Sequence, residues 1–170
     1  FPENHFVFMA TRMGAVKKTA LTEFSNPRKA GIIAVDLDDN DFLIGAALTK
    51  GKHDVMLFSD GGKAVRFDEN DVRSMGRNAR GVRGMMLEDG QSVIAMLAAP
   101  TDVPPEDAEG HPTSVLTATE NGYGKRTPIE EYTRHGRGTK GMIAIQQSGR
   151  NGKVVAAALV HADDEIMLIT

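Results

Sequence analysis

Three short stretches carry residue types at spacings that could do chemistry. His135–Gly141, HGRGTKG, contains G-x-G-x-x-G. That is the spacing of a dinucleotide-binding turn, in which glycines let the backbone approach a pyrophosphate on a helix N-terminus and an acid about 20 residues on holds the ribose. Asp163 and Asp164 stand near that distance. Asp36–Asp41, DLDDND, opens like a calcium loop with D-x-D-x-N, but Asp41 replaces the required glycine and Ala47 the closing glutamate. Asn121–Thr127, NGYGKRT, ends like a phosphate-binding loop, yet Thr119 stands where its first glycine belongs. No serine or acid pair comes with a catalytic motif, and Tyr132 is a lone tyrosine. The five histidines are scattered, His5 and His53 preceding equivalent strands, and with no cysteine thiolate metal sites and disulfides are excluded. The chain is therefore expected to hold no catalytic residue, no metal and no cofactor of its own.

What surrounds the glycines decides the dinucleotide reading. After Gly141 comes MIAIQQSGRNGKVV, which alternates and then turns at SGRNG, leaving no room for a nucleotide-binding helix. Nor is the position unique, because the chain repeats. Val7–Thr19, Val55–Phe67 and Val115–Thr127 align, each with an apolar run, a Thr or Ser, two variable residues, a glycine (Gly14, Gly62, Gly122) and a second run ending in a basic residue (Lys18, Arg66, Arg126). Such a glycine reads as a hairpin turn. Each hairpin leads into a basic segment that closes on Gly31, Gly84 or Gly141, then an apolar run (IIAV, MMLE, MIAI), then another strand (FLIGAAL, SVIAMLAA, VVAAALV).

Four strands per unit at this period predict an all-β, propeller-like array in which each blade buries its faces on its neighbours. The predicted units are 5–52, 53–112 and 113–163, with a fourth opening at 164–170, all within one domain over 1–170. Ala99–Pro112 is read as an acidic, proline-rich loop inserted between units. The chain is expected to continue beyond Thr170. No apolar run approaches the ~18 residues of a membrane span, and the residues from Phe1 onward lack the basic and apolar regions expected of a signal peptide.

The net charge of −3 conceals a strong division. The segments 15–31, 63–84 and 123–141 hold 15 of the 20 Lys and Arg but 6 of the 23 acids, a balance of +9 against −12 for the rest. Lys18, Arg66 and Arg126 recur four residues after the turn glycine. Arg80 and Arg83 stand before Gly84 as Arg137 and Lys140 stand before Gly141, with Arg28 and Lys29 shifted by one. Equivalent segments of successive blades would align these cations along one rim, matched to a phosphate backbone and indifferent to base sequence. Tyr123 is the only aromatic in the hairpin turns, so stacking on single strands is poorly supported and duplex is the expected partner. The candidate DNA contacts are Lys17, Lys18, Arg28, Lys29, Lys63, Arg66, Arg77, Arg80, Arg83, Lys125, Arg126, Arg137 and Lys140. The alternative reading is a propeller-type module whose band meets an acidic protein.

The runs VFMATRMGAVKKTALTEF, VMLFSDGGKAVRF, RGVRGM and LTATENGYGKRTPIEEY resemble the C-terminal domain of bacterial DNA gyrase A across essentially the whole chain. The related C-terminal domain of topoisomerase IV is the alternative; NGYGKRT and the even blade spacing look more like gyrase. The resemblance implies a β-pinwheel with strands interlocked between blades and duplex DNA wrapped around its basic rim, in support of ATP-dependent negative supercoiling. It further implies a bacterial cytoplasmic A2B2 holoenzyme formed with gyrase B, in which the breakage tyrosine, ATP and Mg2+ lie outside these residues. The family's box, Gln-Arg-Arg-Gly-Gly-Lys-Gly, is not present in full anywhere in these residues. HGRGTKG matches it at Arg137, Gly138, Lys140 and Gly141, and the chain is expected to wrap DNA poorly without the complete box.

Overall fold

In a computed structural model, which describes residues 1–167 and 169, one tight turn is built three times. The hydroxyls of Thr11, Ser59 and Thr119 each accept from the backbone N–H four residues on, of Ala15, Lys63 and Tyr123, at 3.2 Å. Their carbonyls accept from Gly14, Gly62 and Gly122 at 3.1 Å, and those glycines have φ of 92°, 84° and 85°. That region is strained for any residue bearing a β-carbon. The recurring Thr/Ser and Gly are thus the two ends of one turn, and each turn joins an antiparallel pair.

The pairs are β1 (Phe6–Thr11) with β2 (Ala15–Ala20), then β4 (His53–Ser59) with β5 (Lys63–Asp68), and β8 (Ser114–Thr119) with β9 (Gly124–Pro128). On the other side of each first strand lies a longer one: β3 (Leu43–Thr49), β7 (Val93–Pro100) and β11 (Val154–Val160). Each of these outer pairings shifts register once, at Ala10/Thr11, Phe58/Ser59 and Val154/Ala156. A 3-10 turn follows each hairpin, at Leu21–Phe24, Glu69–Asp71 and Ile129–Glu131.

The fourth strand of a sheet comes from the next unit. Strand β6 (Val82–Arg83) of the second unit pairs with β2 of the first, Val82 opposite Val16, and β10 (Met142–Ile143) of the third pairs with β5 of the second, Met142 opposite Ala64. The sheets run β3-β1-β2-β6, β10-β5-β4-β7 and β11-β8-β9. The expected strands at IIAV, MMLE and MIAI are therefore corrected. In the first unit Ile32–Val35 forms none, in the second the strand falls just before MMLE, and in the third it is the first two residues of MIAI. The reason is that their partner belongs to the preceding unit. The predicted opening of a fourth unit includes Leu168 and Thr170, outside the described residues, and the described part of 164–170 forms no strand.

Because both faces of the second sheet are covered, its strands read as continuous apolar runs instead of alternating with polar residues. Val55, Leu57, Val65 and Phe67 meet Phe8, Ala10 and Val16 of the first sheet. Met56, Phe58 and Ala64, on the opposite face, meet Val115, Ile129, Tyr132 and Ala144 of the third unit. Phe8 lies 6.2 Å from Phe67, and Tyr132 packs edge-on to Phe58 at 5.9 Å between ring centroids. The hydroxyl of Tyr132 is buried without a hydrogen-bond partner. Thr127 lies close enough to lower its pKa but not in hydrogen-bond geometry, so burial wins and the phenol titrates above its ordinary 10.0.

Candidate nucleic-acid interface

Three of the thirteen expected phosphate contacts are inside the molecule. Lys18, at 4% exposure, reaches Glu69 of the second unit at 3.5 Å and lies 4.5 Å over the ring of Phe6. Arg66, 9% exposed, donates from Nε to Asp54 Oδ2 at 2.8 Å and from Nη1 to the carbonyls of Ile129 (3.0 Å) and Tyr132 (3.2 Å) in the third unit. Lys17, 1% exposed, donates from Nζ to the carbonyl of Ala34 at 2.5 Å and to that of Arg77. Burial pulls the Lys17 pKa below its ordinary value, with Glu23 opposing. A charge so desolvated persists only when paired, and each of these cations is paired to the unit beside it. Lys17, Lys18 and Arg66 are thus buried at the joins between units, each bound to the unit beside it.

The basic loops themselves repeat in space, in a register three residues from the one expected. Since Val82–Arg83 and Met142–Ile143 occupy equivalent strands, Gly81 and not Gly84 corresponds to Gly141. Both have positive φ, 98° and 84°, and a β-carbon at either would collide with a strand carbonyl of the preceding unit, Val16 or Ala64. Arg77 and Arg80 therefore match Arg137 and Lys140, and Arg83 matches Ile143. Arg77 Nη1 donates to the carbonyl of Ile33 at 2.9 Å, and Arg137 Nη1 to that of Arg83 at 3.0 Å, each reaching back one unit. Backbone bonds run alongside: Asp36 N–H to Ala79 (3.3 Å) and Met86 N–H to Thr139 (2.8 Å). Successive loops are thus pinned at the same place on successive blades.

Arg80 is exposed but bound to Asp36 (3.1 Å) and Asp38 (2.7 Å). DLDDND spends its carboxylates on Arg80 and, through Asp41, on the N–H groups of Met13 and Phe42. Among the described residues, Arg28, Lys29, Lys63, Arg83, Lys125, Arg126 and Lys140 make no side-chain hydrogen bond or ion pair, and all but the half-buried Lys63 are exposed. Arg73, which has no counterpart in the other units to draw notice to it in the sequence, is exposed beside Arg137 in one hollow. Arg134, also absent from the expected set, reaches back to Asp54. Gly141 brings the HGRGTKG backbone against the preceding strand, where a β-carbon would meet the Ala64 carbonyl. His111 Nδ1 lies 3.3, 3.7 and 4.0 Å from carboxylates of Asp107, Glu109 and Asp163, a surface grouping invisible in sequence because Asp163 is distant.

A row of sheets of which the first two take their last strand from the next unit, with a cationic loop pinned at each crossing, defines an interlocked β-propeller, or pinwheel. The chain belongs to the DNA gyrase C-terminal domain, beta-propeller family, whose description fits three times, over residues 5–50, 53–100 and 113–161. It is 50% identical to the DNA gyrase A protein of Pseudomonas aeruginosa over 169 residues, which is 99% of this chain and 17% of that protein. A solved C-terminal domain of DNA topoisomerase IV matches 94% of the chain and 47% of its own length with a TM-score of 0.83 at 25% identity. A solved DNA gyrase A C-terminal domain matches 94% of the chain and 50% of its own length, with a TM-score of 0.78 at 29% identity. The chain thus spans about a sixth of that gyrase A protein and about half of these solved domains. No helix among the described residues is long and apolar enough to cross a membrane.

Proposed function

We propose that this chain binds duplex DNA without regard to base sequence and bends it along a rim formed by successive basic loops. The observation that supports this is the pinning of Arg77–Arg80 and Arg137–Lys140 at equivalent places on adjacent blades, with the exposed Arg28, Lys29, Arg83 and Lys125 and the half-buried Lys63 adding to the basic surface. A recurrence of charge with the blades offsets the several kcal/mol that smooth bending of a stiff duplex costs. In this reading the domain serves the negative supercoiling carried out by a bacterial cytoplasmic gyrase of two A and two B chains, and strand breakage, ATP and Mg2+ belong to other parts of that assembly. The likeness to the topoisomerase IV domain supports the same DNA-bending role in a sister enzyme.

The test is binding to duplexes of increasing length at several salt concentrations. Six phosphate contacts predict a slope of log affinity on log salt of about −5, affinity that grows with duplex length, and equal affinity for scrambled sequences. Absence of DNA binding at low salt, or affinity unchanged between low and moderate salt, would refute the proposal.

A further inference from the structure

Arg126 stands where Lys18 and Arg66 stand. All three lie four residues after the turn glycine, and each faces the same cross-strand position: Phe8 opposite Lys18, Met56 opposite Arg66, Leu116 opposite Arg126. In the first two sheets the pair is buried, with Phe8 at 0%, Met56 at 1%, Lys18 at 4% and Arg66 at 9% exposure. What buries them is the next unit, whose 3-10 turn supplies the partner: Glu69 to Lys18, and the carbonyls of Ile129 and Tyr132, at the start and end of the turn, to Arg66. In the third sheet Leu116 is half-buried, Arg126 is exposed, and both line an open hollow with Gly124, Val160 and Ile166.

We propose that Arg126 is a latch between blades and not a contact to DNA: its guanidinium receives the 3-10 turn of a following repeat unit and donates to that turn's carbonyl oxygens, as Arg66 does to Ile129 and Tyr132. The occupant is set by two interfaces of the same build on this chain and by the solved gyrase A domain, which is about twice the length matched here. A planar fork suits this task, since Arg66 serves one carboxylate and two carbonyls at once. The residue of the third unit equivalent to Asp54 is Ser114, so Arg126 has no acid from its own first strand and depends the more on the incoming turn. The inference stands independently of DNA binding.

Arg126→Ala and Arg126→Lys in the full-length protein distinguish the two roles. A latch predicts faster backbone hydrogen exchange in β9 and in the following turn for both variants, because lysine keeps the charge but loses the fork, with the salt slope of duplex binding unchanged. A slope shallower by about 1 in Arg126→Ala, with or without altered exchange, overturns the proposal in favour of a phosphate contact. Unchanged exchange in both variants overturns it as well. Should the alanine variant fail to fold, the lysine variant decides by its exchange alone.

Discussion

Arg134 of the third unit crosses 80 residues of sequence to donate to Asp54 of the second, from Nη2 at 2.6 Å and Nε at 2.8 Å, on the same Oδ2 that Arg66 uses. One carboxylate therefore joins a buried cation of its own sheet to a half-exposed cation of the next.

Removing Asp54 should be costly and removing Arg134 cheap. Asp54→Ala leaves Arg66 buried and uncompensated, which costs about 3 kcal/mol or more. Arg134, with 45% of its side chain exposed, contributes a fraction of a kcal/mol, about 0.5, when replaced by alanine. Urea unfolding of the two variants measures both. Equal effects would contradict the assignment of Asp54 as partner of a buried charge.

The basic residues should separate into two classes when DNA affinity and stability are both read. Lys125→Ala and Lys140→Ala are each expected to make the salt slope shallower by about 0.9 and to leave stability within about 0.5 kcal/mol. Lys18→Ala should do the reverse, lowering the urea midpoint with no change in slope. A shallower slope in Lys18→Ala would return that residue to the DNA surface.

Alkaline pH should weaken the fold through Tyr132. Unfolded, its phenol loses a proton near the ordinary 10.0; folded, burial holds the proton to higher pH. The native state thus binds more protons in that window, and stability falls as pH rises through and beyond 10. Tyr132→Phe removes this contribution and spares a buried hydroxyl that has no partner, so it should flatten the alkaline decline and be neutral or stabilising at pH 7 by up to about 1 kcal/mol. Absorbance titration of native and denatured protein tracks the ionisation directly.

Gly141→Ala should loosen a borrowed strand. Its β-carbon would run into the Ala64 carbonyl, at a φ of 84° that alanine resists. The expected cost is about 2 kcal/mol or more, with faster hydrogen exchange at Met142–Ile143 and little effect at β1. Gly136→Ala, where a β-carbon meets nothing within 4 Å, is the control that should pass unnoticed.

The repeat, the turns and the all-β class were legible because they depend on neighbours in sequence: Thr11 with Gly14, Ser59 with Gly62, Thr119 with Gly122. The fate of the cations was not. Lys18 and Lys125 are the same residue type on equivalent hairpins, and nothing local tells that one meets Glu69, 51 residues on, while the other meets water. The loop register failed for a related reason. GVRG offers two glycines, and only the pairing of Val82 with Val16 selects Gly81. Arg134 escaped notice because its partner lies in another unit. In each case the missing information was a contact between units.

Strand lending also fixes where such a chain can be divided. The unit of duplication, read from the repeats, and the unit that completes a sheet are out of phase by one short strand. A cut between Pro100 and Ser114 follows the duplication boundary yet takes Met142–Ile143 away from β5. Excision, grafting or permutation along the repeat would therefore leave a sheet without its last strand. A cut after the lent strand fares no better, since one beyond Met85 takes β7 from β4 and one beyond Ile145 takes β11 from β8; only gain or loss of a whole repeat keeps the phase, because the second and third repeats each carry the strand their predecessor needs.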